Sequence, residues 1–136
     1  MGLETITLGV IVSFAVRSFK TKAFARFARK ERITDRALRA AVDEAQVNPD
    51  VVLGGELVKQ RVARPGEGKS GGYRTILALR SGTRAVFLHG FAKSALSNID
   101  ARELRALKMI AAPFLNATDA QIEALIENGD LTEVGR

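Results

Sequence analysis

Apolar positions in this chain recur first at a helical period, then at a strand period, then at a helical period again. In residues 21–33, TKAFARFARKERI, Phe24, Phe27 and Ala28 fall at helical spacing, with Lys22, Arg26, Arg29 and Lys30 elsewhere on the wheel. A second helix starts after Thr34, whose hydroxyl suits an N-cap, with Asp35 in the first turn. Leu38, Val42 and Ala45 line one face of it, and Asn48-Pro49-Asp50 stops it. The two predict a helical hairpin with one apolar seam and a strongly basic outer face. The period then drops to two. Residues 56–63 set Leu57, Lys59, Arg61 and Ala63 against Val58, Gln60 and Val62. Residues 73–80 set Arg74, Ile76, Ala78 and Arg80 against Tyr73, Thr75, Leu77 and Leu79. A Ser81-Gly82-Thr83 turn leads to residues 85–93, where Phe87, His89, Phe91 and Lys93 oppose Val86, Leu88, Gly90 and Ala92. This is an antiparallel meander, and residues 11–19, IVSFAVRSF, supply a fourth strand. Helical spacing returns over residues 101–115, with Asp100 as cap, Glu103 at the third position, and Leu104, Leu107, Ala111 and Phe114 as the stripe. Thr118-Asp119-Ala120-Gln121 is a capping-box pattern; it opens a short helix carrying Ile122, Leu125 and Ile126, closed by Gly129. The order β-α-α-β-β-β-α-α describes an α+β domain: an N-terminal helical hairpin on a twisted antiparallel sheet, followed by C-terminal helices.

At 136 residues the chain holds one core. The pattern divides it into an N-terminal extension or strand start over residues 1–15, a main domain over 16–115 and a helical, acidic tail over 116–136. It has no cysteine and a single histidine, His89, so neither a disulfide framework nor a thiolate or histidine-built metal site is expected, and no cofactor. The apolar run over residues 6–16 is too short to span a bilayer, and no basic segment precedes it, so a cytoplasmic protein with no membrane partner is expected. Residues 1–15 are expected to be largely dispensable.

Charge changes the picture more than composition does. The net charge is +6, but residues 17–93 hold 17 Lys and Arg against 7 Asp and Glu, whereas residues 94–136 hold 4 against 7. A basic body with an acidic tail points to a polyanionic partner, with a solvated basic surface as the plain alternative. The tail could pack on the body or screen its basic face.

If the strand registers agree, Lys59, Arg61, Arg74, His89 and Lys93 gather on one face of the sheet, with Lys69 hanging over it from the glycine-rich segment RPGEGKSGGYRT. That set suits a phosphodiester: arginine offers a planar fork for phosphate oxygens and lysine a mobile point charge. Each residue also has a plainer place. Lys59 and Arg61 fit the solvent side of a strand, Arg74 an ion pair, His89 a packed imidazole, and Phe87 and Phe91 the core rather than base stacking. The glycine segment does not match Gly-x-x-x-x-Gly-Lys-Ser/Thr, and no helix follows it, so a nucleotide-binding P-loop is not expected.

The segments VRSFKTKAFARFARKERITDRAL, LGGELVKQRVARPGEGKSGGYRTILAL and FLHGFAKSALSNIDARELRALKMIA together resemble the RelE/HigB-like toxins of bacterial type II toxin–antitoxin systems, over about residues 16–115. The resemblance implies a microbial RNase-like fold of RelE type. It implies mRNA cleavage, in many members at the ribosomal A site, and neutralisation by a cognate antitoxin in a hetero-oligomer. Arg74 falls at the arginine associated with the scissile phosphate. Lys93 falls in the GFAK segment, and Lys59, Arg61 and Lys69 in the basic segment before the central strand. The resulting expectation is catalytic Arg74, Lys59, Lys93 and His89, with RNA-binding Arg61, Arg64, Lys69 and Tyr73. In the metal-independent chemistry implied, the 2′-hydroxyl attacks the adjacent phosphate. Arg74 then stabilises the added charge, Lys59 is a candidate base whose pKa neighbouring cations would lower, and His89 is an acid/base candidate. Several members carry a tyrosine near the end of the domain, whereas the only tyrosine here is Tyr73, inside the strand motif. Two other functions fit: a ParE-type gyrase-inhibiting toxin, and a nucleic-acid-binding module without catalysis. An antitoxin is expected across the helical hairpin or the sheet, steered there by the basic body.

Overall fold

The computed structural model describes residues 16–64, 68–92 and 99–135. Among them the chain runs β1 (Arg17–Thr21), α1 (Lys22–Glu31), α2 (Asp35–Val47), β2 (Val51–Gly54), β3 (Leu57–Arg64), β4 (Gly68–Arg80), β5 (Arg84–Ala92), α3 (Ala101–Asn116), α4 (Asp119–Glu127) and β6 (Leu131–Glu133). The α+β class and the order of the long elements match the sequence pattern, and β2 and β6 are additional short strands. Of the strand expected over residues 11–19, Arg17 onward lies in β1; residues 11–15 lie outside the described residues, as does the extension they belong to.

Each helix starts where a side chain satisfies its free amides. The Phe24 amide donates to Thr21 Oγ1 at 3.2 Å and the Ala37 amide to Thr34 Oγ1 at 3.1 Å. Reciprocal capping boxes open α3 (Asp100 with Glu103) and α4 (Thr118 with Gln121). α1 ends because Arg32 turns left-handed (φ 58°) and the Ile33 amide reaches back to the Ala28 carbonyl at 2.9 Å.

The six strands form one sheet in the order β2-β3-β4-β5-β1-β6. β1 runs parallel to β5, and every other pairing is antiparallel. Strand alternation therefore feeds two cores, one on each face of the sheet, where the chain length suggested a single one. On one face α1 and α2 bury Phe24, Ala28, Leu38 and Val42 against Val58, Val62, Leu77 and Phe87. On the other, α3 and α4 bury Ala111, Leu115 and Ile122 against Phe19, Ile76 and Val86. Gln60 is fully buried yet satisfied: its Oε1 accepts from the Asp50 amide at 3.0 Å and its Nε2 donates to Glu44 at 3.2 Å.

β5 breaks strict alternation. Ile76 pairs with His89, but Leu77 pairs with Phe87, so Leu88 is an extra residue. The bulge turns Phe87 toward α1, where its ring stacks on Phe24 with centroids 5.0 Å apart. His89 and Phe91 face the other side. The sequence pattern placed all three on one face, because alternation carries no sign of an inserted residue.

The acidic tail packs on the body. Ile122 and Leu131 are 0% and 1% exposed in the second core, and β6 pairs with β1. Arg84, itself buried, donates to the Phe114 and Ala117 carbonyls at 2.8 Å each, and so caps the C-terminal end of α3. Arg80 donates to the Leu115 carbonyl at 2.9 Å and pairs with Glu56 at 2.7 Å. No helix among the described residues is long and apolar enough to cross a membrane.

Candidate nucleic-acid interface

Paired residues in a sheet share a face, so the register assembles the site directly. One row across β3, β4 and β5 is Lys59–Ile76–His89; the next is Arg61–Arg74–Phe91. At roughly 4.8 Å between strands, each row spans about 10 Å. Both rows lie on the α3 side of the sheet, and Ile76 in the first of them belongs to the core under α3 and α4. Ile76 is buried beneath, Lys59, Arg61, Arg74 and Phe91 are half-buried, and His89 is exposed. The registers thus bring together four of the five residues expected on this face. Lys93, the fifth, lies outside the described residues.

Arg74 stands apart within this group. Its Nη1 is shielded from solvent and has no hydrogen-bond partner among the described residues. Arg61, directly opposite it on β3, is held from behind: its backbone amide donates to Asp50 Oδ2 at 2.7 Å, and its Nε to the same oxygen at 3.3 Å. His89 lies 5.8 Å from the Phe91 ring, tilted by 39°. Two guanidinium groups, a lysine and an imidazole therefore share a shallow surface beside an aromatic ring. Such a surface can hold a phosphodiester, stabilise charge added to it and exchange a proton with it.

Tyr73 and Arg64 lie on the opposite face. Tyr73 is 3% exposed; its hydroxyl donates to Glu31 Oε1 at 2.9 Å, its ring meets Phe27 edge-on at 5.7 Å, and the Arg64 guanidinium sits 5.1 Å from its centroid. Burial, followed by the Glu31 carboxylate, holds the phenol above its ordinary pKa. Lys69 belongs to the backbone of β4, which begins at Gly68, so the second half of the glycine segment is strand rather than loop. Gly72 explains part of that composition: a Cβ there would lie 2.1 Å from the Val62 carbonyl oxygen of β3. Gly90 makes room in the same way for Phe27, whose ring would be 2.4 Å from an added Cβ.

Two members of the site carried little signal in the sequence. Asp50 appeared only as part of a helix stop, and its hold on Arg61 arises because β2 folds back along β3. Phe91 read as a core residue rather than a base-stacking one, and the structure leaves it half-buried beside His89 and Arg74.

A protein-family model described as the RelE toxin of the RelE/RelB toxin–antitoxin system matches residues 16–134. No curated protein matches the chain.

Proposed function

Because this chain belongs to the RelE toxin family, we propose that it is an mRNA endonuclease that acts on ribosome-bound message and is neutralised by a cognate antitoxin. The RelE-type arrangement, a helical hairpin on one face and, on the other, basic strand positions beside the C-terminal helices, belongs to this reading. The observation that carries it is the buried Nη1 of Arg74, without a hydrogen-bond partner among the described residues, on the face shared with Arg61, Lys59 and His89. A buried cationic donor without an acceptor is costly in the free protein, and a phosphate oxygen would supply the acceptor.

In this mechanism the RNA 2′-hydroxyl attacks the adjacent phosphorus. The 5′-oxygen leaves, and the product ends in a 2′,3′-cyclic phosphate. Arg74 stabilises the charge that accumulates on the phosphoryl oxygens. Lys59 takes the 2′ proton, and His89, with Lys93 as the other candidate, returns one to the leaving oxygen. Arg61, fixed by Asp50, and Lys69 hold the flanking phosphates, and Phe91 stacks a base. Arg64, resting on Tyr73, reaches RNA that wraps past the edge of the sheet. The antitoxin covers the open sheet face.

Primer extension on mRNA from cells expressing the protein tests this. Codon-associated cuts are expected. An absence of cuts together with gyrase-linked DNA damage would assign the ParE-type activity instead, and neither effect would leave a binding module without catalysis.

A further inference from the structure

α1 turns four cations away from the sheet. Phe24, Ala25 and Ala28 are buried, while Lys22, Arg26, Arg29 and Lys30 are all exposed. Their spacing, i, i+4, i+7 and i+8, sets them in one stripe about 12 Å long. Arg32 at the helix end and Arg36 in the first turn of α2 are exposed as well. None of these six forms an ion pair among the described residues, although Arg17, Lys20, Arg61, Arg80 and Arg84 each do. The acidic groups nearest in sequence are already engaged: Glu31 accepts from Tyr73, and Asp35 accepts from Lys20 and from the Gly135 amide.

Like charges four apart on a helix repel, as Lys22 with Arg26 and Arg26 with Lys30 do here. The stripe therefore works against α1 unless something outside the chain compensates it. Its chemistry decides what kind of partner that is. A protein interface needs apolar or aromatic anchors and a core depleted in charge. The exposed large hydrophobic residues, Val47, Val51, Val52, Met109 and Ile110, all lie on other elements. A nucleic-acid backbone needs only cations at fixed positions. α1 lies on the Phe87 face of the sheet and Arg74 on the other, so the stripe and the catalytic rows cannot grip the same phosphates.

We propose that the outer stripe of α1 docks the phosphate backbone of a double-stranded RNA, as a contact separate from the sheet face. The preference for RNA over DNA rests on the nuclease reading above; the argument from charge does not. The test titrates an RNA duplex of about 16 base pairs, a length over which duplex RNA is gripped by shape and backbone, against the wild-type protein and a Lys22→Gln/Arg26→Gln/Arg29→Gln/Lys30→Gln variant across a range of salt. The slope of log affinity against log salt should fall by roughly 3 in the variant, and by about half that in Arg26→Gln/Lys30→Gln, which serves if the fourfold variant fails to fold. Arg105→Gln, which removes an exposed cation on α3, should keep the wild-type slope. An unchanged slope overturns the proposal. A DNA duplex bound as tightly as RNA overturns the choice of RNA. A variant that keeps RNA affinity but loses its antitoxin overturns it in favour of a protein interface. Because binding is read without cleavage, a protein that grips duplex RNA through α1 and cuts nothing would sink the nuclease reading alone.

Discussion

Arg74 separates two accounts of the sheet face. As a structural ion-pair partner it would have a carboxylate beside it, and among the described residues it forms no ion pair; its Nη1 lacks even a neutral acceptor there. Removing a side chain whose buried donor is unsatisfied forfeits no hydrogen bond and relieves a desolvation penalty of about 1–3 kcal/mol. Arg74→Ala is thus expected to melt no lower than wild type. In the proposed cleavage the transition state carries more negative charge than bound RNA, so the loss should appear in the chemical step, at about 3–4 kcal/mol or 100- to 1,000-fold. Arg74→Lys should restore little, because a point charge does not span two oxygens. Turnover and melting temperature measured on the same variant check this, and a destabilised but active protein would end the assignment. Alternation alone made Lys59, Arg61 and Arg74 readable as surface-capable positions. What the sequence did not carry was their mutual register, which depends on where the β3–β4 hairpin turns and on the irregularity between Val62 and Arg64.

The elements differ in how much of themselves they show in sequence. The helix starts at Thr34, Asp100 and Thr118 were legible because a cap is a contact between a side chain and its own neighbouring backbone. β2 and β6 were not, since three or four residues hold too few periods to register. The Leu88 bulge was invisible for a related reason: it is a property of a strand pair, not of a strand. α2 also carries a latch that no local pattern announces. Asp35 in its first turn accepts from Lys20 Nζ at 2.9 Å and from the Gly135 amide at 2.8 Å, while Arg39 donates to the Gly135 carbonyl. Burial pushes the Asp35 carboxyl up, but the Gly135 amide and Lys20 outweigh it and hold the pKa below its usual value. A depressed carboxylate stabilises the fold above its unfolded pKa of about 4 and loses that effect as pH falls through the folded value. Asp35→Ala should cost about 1 kcal/mol at neutral pH, the low end for charged hydrogen bonds because the group is partly solvated. Urea unfolding of both proteins should show the difference shrinking below about pH 4, and a gap that persists in acid would contradict the latch.

At the scale of the molecule, the tail after α3 belongs to the core. A chain ending at Ala117 would lose the fully buried Ile122 and Leu131, about 1.5–3 kcal/mol each. It would also lose the Glu133 and Asp119 partners of Arg17 and Arg84. That approaches the whole stability of a small domain, so the truncated protein is expected to show no cooperative melting transition by calorimetry. The acidic composition of residues 116–134 was legible; their burial was not, because it depends on β6 finding β1. That pairing also fixes an order in time. β1 sits between a strand it meets 67 residues downstream and one it meets 116 residues downstream, through Thr21 to Leu88 and Arg17 to Glu133. The β3–β4 and β4–β5 hairpins are local and can close early, whereas β1 must wait for both ends of that long span. A chain leaving the ribosome therefore holds a half-built sheet until Glu133 has been made and can reach β1. In pulse-labelled hydrogen exchange during refolding, the amides of Phe19, Lys20 and Thr21 should gain protection after those of Val58 to Val62, and simultaneous protection would show that the sheet closes in one step.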